Sequence, residues 1–205
     1  MKKQIALFSL FLFLISTTTD AQVRFGARGS LSISNQTKAH SISKSRTGYQ
    51  VGVIGLIPLD YNDKWYFSPE VNYSAQGEFN VHEPKKANDY PEKKDIKTFT
   101  NFLNIPLFVR NYFSSAESEF FVEGGPYIGF KLVEDVERIE NTEPFDEEFK
   151  SFDFGLGLGI GYSLNRQLEA SVRYFYGFPD QIKYDASNDK NHNSILNFGV
   201  SYFFN

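Results

Sequence analysis

The sequence predicts an all-β fold: an eight-stranded antiparallel β-barrel that crosses a membrane, with its strands in an up-and-down meander. Three features support this prediction. Eight segments alternate with a period of two, the two faces of these segments have an unusual composition, and the links between them are alternately long and short. Strict alternation of apolar and polar residues is the pattern of a strand whose two faces meet different surroundings.

The eight segments place large apolar residues on one face and small or polar residues on the other. The clearest is 152–164, FDFGLGLGIGYSL, in which every second residue from 155 to 161 is glycine and the residues between them are large and apolar. In the second segment the contrast is weaker, because Ile54 and Leu56 fall on the polar face. The segments are 23–34, 47–59, 65–79, 102–113, 120–132, 152–164, 167–178 and 195–204.

The polar face decides between a soluble barrel and a membrane barrel. A soluble barrel would expose this face to water and carry many lysines, glutamates and threonines there, whereas here it is mostly glycine and serine with one or two charges per strand. An eight-stranded barrel has just enough interior room for side chains. We therefore expect a crowded polar interior and an apolar face against lipid. The expected interior charges are Arg24, Arg28, Glu70, Arg110, Glu123, Lys131, Asp153, Glu169 and Arg173, and the expected interior glycines are Gly155, Gly157, Gly159 and Gly161.

The links between the segments alternate in length, which supports the same architecture independently. Membrane barrels of this kind have short turns on the periplasmic side, longer external loops, and both termini on the periplasmic side. A soluble barrel has no reason to sort its loops in this way. The predicted links are 35–46, 60–64, 80–97, 114–118, 133–150, 165–166 and 179–193.

Aromatic residues cluster near both ends of the predicted strands, as expected for girdles at two membrane interfaces. Beside the short turns and the C-terminus stand Trp65, Tyr66, Tyr112, Phe113, Phe120, Phe121, Tyr162 and Phe204. Nearer the long links stand Tyr49, Tyr73, Phe102, Phe130, Phe154, Tyr174 and Tyr176. Three prolines inside the segments, at 69, 106 and 126, predict bulges or strand ends, because proline cannot donate to a ladder.

Residues 1–21 are predicted to be a cleaved signal peptide. Two lysines precede an apolar run, 5–15, and a polar stretch then ends at Ala21. This order is typical of a secretory signal, and the run is too short for a membrane-spanning helix. Residues 22–205 would then form one barrel domain, enough for a domain of ordinary size.

Composition excludes several classes of function. The formal net charge is −4 and the isoelectric point is about 5.4, so there is no basic surface for nucleic acid. The absence of cysteine excludes disulfides and a lipid-modified cysteine. The sequence contains no nucleophile elbow, zinc-protease histidine pair or phosphate loop. We therefore expect neither an enzyme nor a bound cofactor.

Two sets of link residues are weak candidates for metal ligands. The three histidines fall in three different long links without a spacing motif, so scattered histidines are favoured over a shared site. The acidic link 133–150 matches no known calcium loop, so a solvated acidic loop is favoured over a cation site. The histidines are His40, His82 and His192, and the weak cation candidates are Asp146, Glu147 and Glu148.

Four segments carry a resemblance to a known family. NFLNIPLFVRNYF, FFVEGGPYIGFKL, FDFGLGLGIGYSL and the terminal ILNFGVSYFF resemble the small outer-membrane β-barrels of Bacteroidota known as porin-family or PorT-like proteins. The resemblance implies export to the outer membrane of a Gram-negative bacterium, with outer-membrane lipid, lipopolysaccharide and the barrel-insertion machinery as partners. It also implies an insertion signal at Tyr202 and Phe204, although the last residue here is Asn205 rather than an aromatic one.

For function the sequence favours a structural or surface-interaction protein acting through four external loops, because eight strands give a filled interior rather than an open pore. Three alternatives remain open. The resemblance suggests a component of a secretion apparatus that binds a protein partner through its loops. A narrow channel for small solutes is the second alternative. The third is a soluble secreted barrel that binds an apolar ligand.

Overall fold

The predicted barrel is confirmed by the computed structural model, in which eight antiparallel strands form one closed sheet. The structure describes residues 23–37, 43–81, 95–138, 150–180 and 192–204. Each strand pairs with the next, and β8 pairs with β1 to close the barrel. The strands are β1 (Arg24–Thr37), β2 (Ser43–Pro58), β3 (Trp65–Val81), β4 (Asp95–Tyr112), β5 (Glu119–Arg138), β6 (Phe152–Leu164), β7 (Leu168–Gly177) and β8 (His192–Phe204).

The apolar face of the strands points outward. Exposure alternates residue by residue along β6 and β7, and the side chain of Leu158 on β6 is 69% exposed. A surface of this kind is typical of a barrel wall in lipid, where the closed sheet pairs its own backbone groups. Among the described residues, no helix is long and apolar enough to cross a membrane.

The two ends of the barrel differ in the length of their connections. Links 59–64, 113–118 and 165–167 join strands at one end, where β1 begins and β8 ends; we call it the inner end and assign it to the periplasm by its short turns. At the opposite, outer end the strands run further than predicted. Residues 133–138, predicted as link, belong to β5, and His192 begins β8. Period two is lost there because consecutive charged residues, Glu134 and Asp135, fall on opposite faces of the strand.

The prediction of bulges or strand ends at the three prolines is wrong. All three lie inside strands, and the register shifts fall elsewhere, between Ser45 and Gln50 and between Asn101 and Phe102. In an antiparallel ladder each residue donates its N–H to only one neighbouring strand, so a proline leaves one bond unmade and can stay in register. The pairs are Pro69 with Leu107, Pro106 with Tyr127 and Pro126 with Leu156.

Some aromatic residues predicted for the lipid-facing girdles lie inside the barrel instead. Tyr66, Tyr112, Phe121 and Phe102 are buried. They lie on the same strand faces as the interior charges. Above and below the ion pairs, large side chains of this kind occupy the interior. Rings that do face outward include Trp65, Phe113, Phe120, Tyr162 and Phe204 near the inner end and Tyr49, Phe130, Phe154, Tyr174 and Tyr176 near the outer end.

Candidate functional site

Five charged side chains form one connected cluster across the middle of the interior, here called the ion-pair cluster. Glu123 accepts hydrogen bonds from Arg110 (Nη2 to Oε2, 2.7 Å) and Arg173 (Nε to Oε1, 2.5 Å). Arg173 also donates to both carboxylate oxygens of Glu70 through its two terminal nitrogens, at 2.8 and 2.6 Å. Arg110 donates to Glu169 at 2.5 Å. These side chains come from β3, β4, β5 and β7, so the cluster links four strands across the barrel.

The ion-pair cluster is shielded from water, since its side chains are at most 1% exposed. A third arginine, Arg28 on β1, is also buried and donates to the hydroxyls of Ser171 (3.0 Å) and Ser201 (3.1 Å). Among the described residues it forms no ion pair within 4.0 Å. Three arginines and three glutamates together carry no net formal charge, which is the condition under which charges can be buried.

The nine predicted interior charges do not form one network. Arg24 lies at the inner end, where it donates to the carbonyl of Arg166 and stacks over the ring of Phe203 at 5.6 Å. Lys131 pairs with Glu134 near the outer end. Asp153 is buried and accepts hydrogen bonds from the Tyr127 hydroxyl and the Asn193 amide. Sequence periodicity places a charge on a face, but it does not specify which partner the charge meets.

The glycine face of β6 is covered by side chains from β4, β5 and β7. A Cβ atom at Gly157 would lie 2.5 Å from Cζ of Phe108, and one at Gly161 would lie 2.3 Å from Cζ of Phe121. At Gly159 it would lie 2.8 Å from Cγ of Arg173. At Gly155 it would lie 1.9 Å from the backbone oxygen of Tyr176. Gly157, Gly159 and Gly161 therefore make the space that the ion-pair cluster and its aromatic neighbours occupy.

Apolar and aromatic layers cover the ion-pair cluster on both sides. Along β4 the interior positions are Phe108, Arg110 and Tyr112, so one ring lies toward the outer end and the other toward the inner end. The guanidinium of Arg173 stacks over Phe108 at 5.2 Å, and that of Arg110 stacks over Phe121 at 4.2 Å. The inner layer is Ile54, Leu56, Tyr66, Tyr112, Phe121 and Phe203, and the outer layer is Phe108, Tyr127, Phe175 and Ile195.

The inner end is closed by Arg166, a residue that the sequence analysis did not identify. Its side chain donates to the carbonyls of Ala116 (3.1 Å) and Asp63 (3.0 Å), pairs with Glu119, and stacks on the Tyr112 ring at 4.0 Å. One side chain thus joins all three short turns. Residues 165 and 166 both have positive φ, 52° and 54°, as in a type I′ turn. A single arginine in a two-residue link gives no sequence signal for this role.

The other side of the interior, on β8, β1, β2 and the upper part of β3, carries mainly small hydroxyl and amide side chains, with Arg28 as a buried charge. Asn197 donates to Gln50 (2.8 Å), and Gln50 donates to Ser74 (2.8 Å). Gln76 also donates to Ser74, and it accepts from Asn193. We call this set the amide lattice.

The remaining predicted ligand residues form no site in the described part of the chain. No group of three or more histidine, cysteine or acidic residues suited to a metal occurs among those residues. His192 starts β8, with its ring 5.4 Å from that of Tyr176. Tyr202 and Phe204 point outward at the end of β8, with ring centroids 5.7 Å apart. His40, His82, Asp146, Glu147 and Glu148 lie outside the described residues.

Fold and interior together define a small membrane-spanning β-barrel whose interior carries paired charges, amides and aromatic rings. Residues 17–183 match the family model of the outer membrane protein beta-barrel domain. This match covers most of the chain, and the chain belongs to that family. It is thus a β-barrel protein of the outer membrane of Gram-negative bacteria.

Solved structures with a similar fold have very different sequences. Neisserial surface protein A is 11% identical with a TM-score of 0.47, covering 90% of this chain and 99% of its own. The outer membrane enzyme PagL is 11% identical with a TM-score of 0.45, covering 85% and 98%. OprG from Pseudomonas aeruginosa is 15% identical with a TM-score of 0.41, covering 89% and 94%. No curated protein sequence matches the chain.

Proposed function

We propose that this protein is a closed, non-conducting barrel that acts as a structural or interaction protein at the cell surface and has no catalytic role. The observation that carries the proposal is the ion-pair cluster. Its arginines and glutamates meet across the interior from four strands, and apolar layers lie on both sides of it. An ion crossing the barrel would have to displace buried, mutually paired charges.

The outer end of the barrel supports a surface role. A row of outward-facing rings, Phe130, Phe152, Phe154, Phe178 and Tyr176, follows the outer end of β5, β6 and β7, with neighbouring centroids 5.5 to 6.3 Å apart. Such a row is typical of a membrane interface. Strands β2 to β5 continue beyond this level. The protein therefore presents ordered backbone outside the membrane and not only loops.

The proposal also assigns the export signal and the surfaces that meet partners. Residues 1–21 serve as the export signal, and residues 22–205 form the single barrel domain. The outward rings of Tyr202 and Phe204 at the end of β8 are available to the barrel-insertion machinery. The outer aromatic row contacts lipopolysaccharide, and the wall below it contacts lipid. A secretion role of the PorT-like kind would use the same outer surface.

Ion conductance in planar lipid bilayers tests the proposal. The purified barrel, shown to be folded by its heat-dependent gel mobility, should give no long-lived open level. A second preparation carries both Glu70→Ala and Arg173→Ala, which removes two paired charges without changing the net charge and leaves space in the interior. This variant should open intermittently. The matched control, Lys131→Ala with Glu134→Ala, removes a peripheral pair and should stay silent. A steady open level in the unmodified protein would contradict the proposal.

A further inference from the structure

Pairing between neighbouring strands is interrupted at three places where the register does not shift, one each in β2–β3, β3–β4 and β4–β5. At each place two residue pairs are skipped and pairing then resumes. Pairing of the other neighbouring strands runs without such a gap in the described part of the chain. The last pairs before the three interruptions are Ile54 with Glu70, Pro69 with Leu107, and Pro106 with Tyr127.

Each interruption contains one proline. In an antiparallel sheet a hydrogen-bonded pair exchanges two N–H···O=C bonds, and proline has no N–H to donate. The carbonyl opposite each proline therefore lacks its usual donor, so one bond is lost on each of β2, β3 and β4. The register places Pro69 opposite Gly55, Pro106 opposite Glu70 and Pro126 opposite Leu107. We call these three prolines and the residues opposite them the proline seam.

The proline seam lies within the lipid-facing band of the wall. On β5, Pro126 stands between the outward rings of Phe120 near the inner end and Phe130 near the outer end. At this depth no water is at hand to replace a missing backbone hydrogen bond, as it would be at the ends of the strands. Among the described residues, the seam is therefore the part of the wall where the backbone is bonded least completely.

The ion-pair cluster holds the proline seam together from the inside. Arg110 on β4 bonds Glu123 on β5 at 2.7 Å, close to the β4–β5 interruption. Glu70, whose backbone carbonyl faces Pro106, bonds Arg173 on β7 through its carboxylate at 2.6 Å. Side-chain bonds thus join the strands at the level where backbone bonds are missing.

We propose that the proline seam is a hinge in the barrel wall, along which β2 to β5 open locally and transiently toward the lipid. The rest of the wall, from β6 through β8 to β1, stays paired. Strands joined by fewer backbone hydrogen bonds open more often, because local opening has to break only the bonds that are present. One half of the closed sheet can therefore move while the other half stays rigid. This inference goes beyond the proposed surface function and does not depend on it.

Amide hydrogen exchange of the full mature barrel in lipid nanodiscs, followed by NMR, tests the inference. Exchange of this kind reports how often each backbone hydrogen bond opens. The seam is represented by residues 70–72 and 107–109, and the comparison segments are 158–160 and 171–173 in the middle of β6 and β7. Amides of the seam should exchange at least about tenfold faster than those of the comparison segments.

Proline-to-alanine variants show whether the missing donors cause the opening. A Cβ atom at Gly125 would lie 2.3 Å from the backbone oxygen of Leu107, so the strands are close enough for an N–H at position 126 to bond. Pro126→Ala should therefore slow exchange in the seam by about tenfold, and Pro106→Ala is a second variant with the same expected effect. The matched control is Pro179→Ala, which lies outside the strands and should change nothing. Heat-dependent gel mobility checks that each variant is folded.

Three results would overturn the inference: equal exchange in the seam and the comparison segments, unchanged exchange in both seam variants, or equal slowing in Pro179→Ala. Equal slowing in the control would mean that replacing any proline rigidifies the barrel. Conductance of the same preparation separates this inference from the proposed function. A silent barrel with slow exchange in the seam refutes the hinge only, whereas a steady open level refutes the closed barrel.

Discussion

The two sides of the barrel interior are built from different chemistry. One side, on the lower part of β3 and on β4, β5 and β7, holds the ion-pair cluster and the rings that cover it, and β6 provides the space with glycines. The other side carries the amide lattice of Gln50, Ser74, Asn197 and their neighbours. Both sides are buried, and among the described residues only the first holds paired charges. Arg28, from β1, bridges the two sides.

The two sides are expected to contribute unequally to the stability of the barrel. Breaking a buried ion pair leaves a charge without compensation in a medium that solvates it poorly, which is strongly destabilising. Removing one hydroxyl or amide from a lattice costs far less, because each neutral hydrogen bond contributes about 1 kcal/mol. We therefore expect closure and stability to depend on the charged side, while the lattice side tolerates substitution.

The largest effect is expected for Glu123→Ala. This change removes the carboxylate shared by Arg110 and Arg173, so both arginines lose a partner, and the free energy of unfolding should fall by about 3–5 kcal/mol. The free energy of unfolding is measured by urea unfolding of the lipid-reconstituted barrel, with gel mobility reporting the folded fraction. The control Glu134→Ala breaks a partly exposed pair and should cost about 1 kcal/mol or less. Equal losses in the two variants would contradict the comparison.

A smaller effect is expected for Gly157→Leu. The added side chain would collide with the ring of Phe108, and overpacking of this kind costs about 1–3 kcal/mol. Gly29→Leu is the matched control, because Gly29 faces outward and a Cβ there would have no heavy atom within 4 Å. The same unfolding assay should show little change for Gly29→Leu. If both glycines tolerate leucine, the interior is not filled as described.

The smallest effect is expected on the lattice side, for Ser32→Ala. Ser32 is fully buried, and its hydroxyl has no hydrogen-bond partner among the described residues. Its removal should change the free energy of unfolding by no more than about 0.5 kcal/mol. A loss of 2 kcal/mol or more, roughly the cost of an unsatisfied buried group, would show that the lattice side also holds the barrel together.

Local sequence pattern predicts the wall of this barrel well and its interior contacts poorly. The segment predicted for β6 matches the strand, because large apolar or aromatic residues alternate along its whole length with glycine, Asp153 or Ser163. The pattern does not predict the upper part of β5, because consecutive charged residues there fall on both faces of the strand. Pairing of Arg173 with Glu70 joins residues 103 positions apart. Such pairs depend on the stagger of the closed sheet, which no short segment encodes.

Two substitutions at opposite ends of the ion-pair cluster test whether its five charges stabilise the barrel as one unit. Glu70 contacts Arg173 and Glu169 contacts Arg110, and only Glu123 joins the two arginines. Removing both outer glutamates leaves excess positive charge around Glu123. Unfolding free energies of Glu70→Ala, Glu169→Ala and the double variant form a double-mutant cycle.

The measurement compares the loss of unfolding free energy in the double variant with the sum of the losses in the two single variants. We expect the free energy of unfolding of the double variant to fall by more than the sum of the two single losses, by at least about 1 kcal/mol. A matched cycle of Glu70→Ala with Glu134→Ala should be additive, because Glu134 belongs to a separate pair. Additivity within about 0.5 kcal/mol in the first cycle would show that the two halves of the cluster act independently, and would contradict the account.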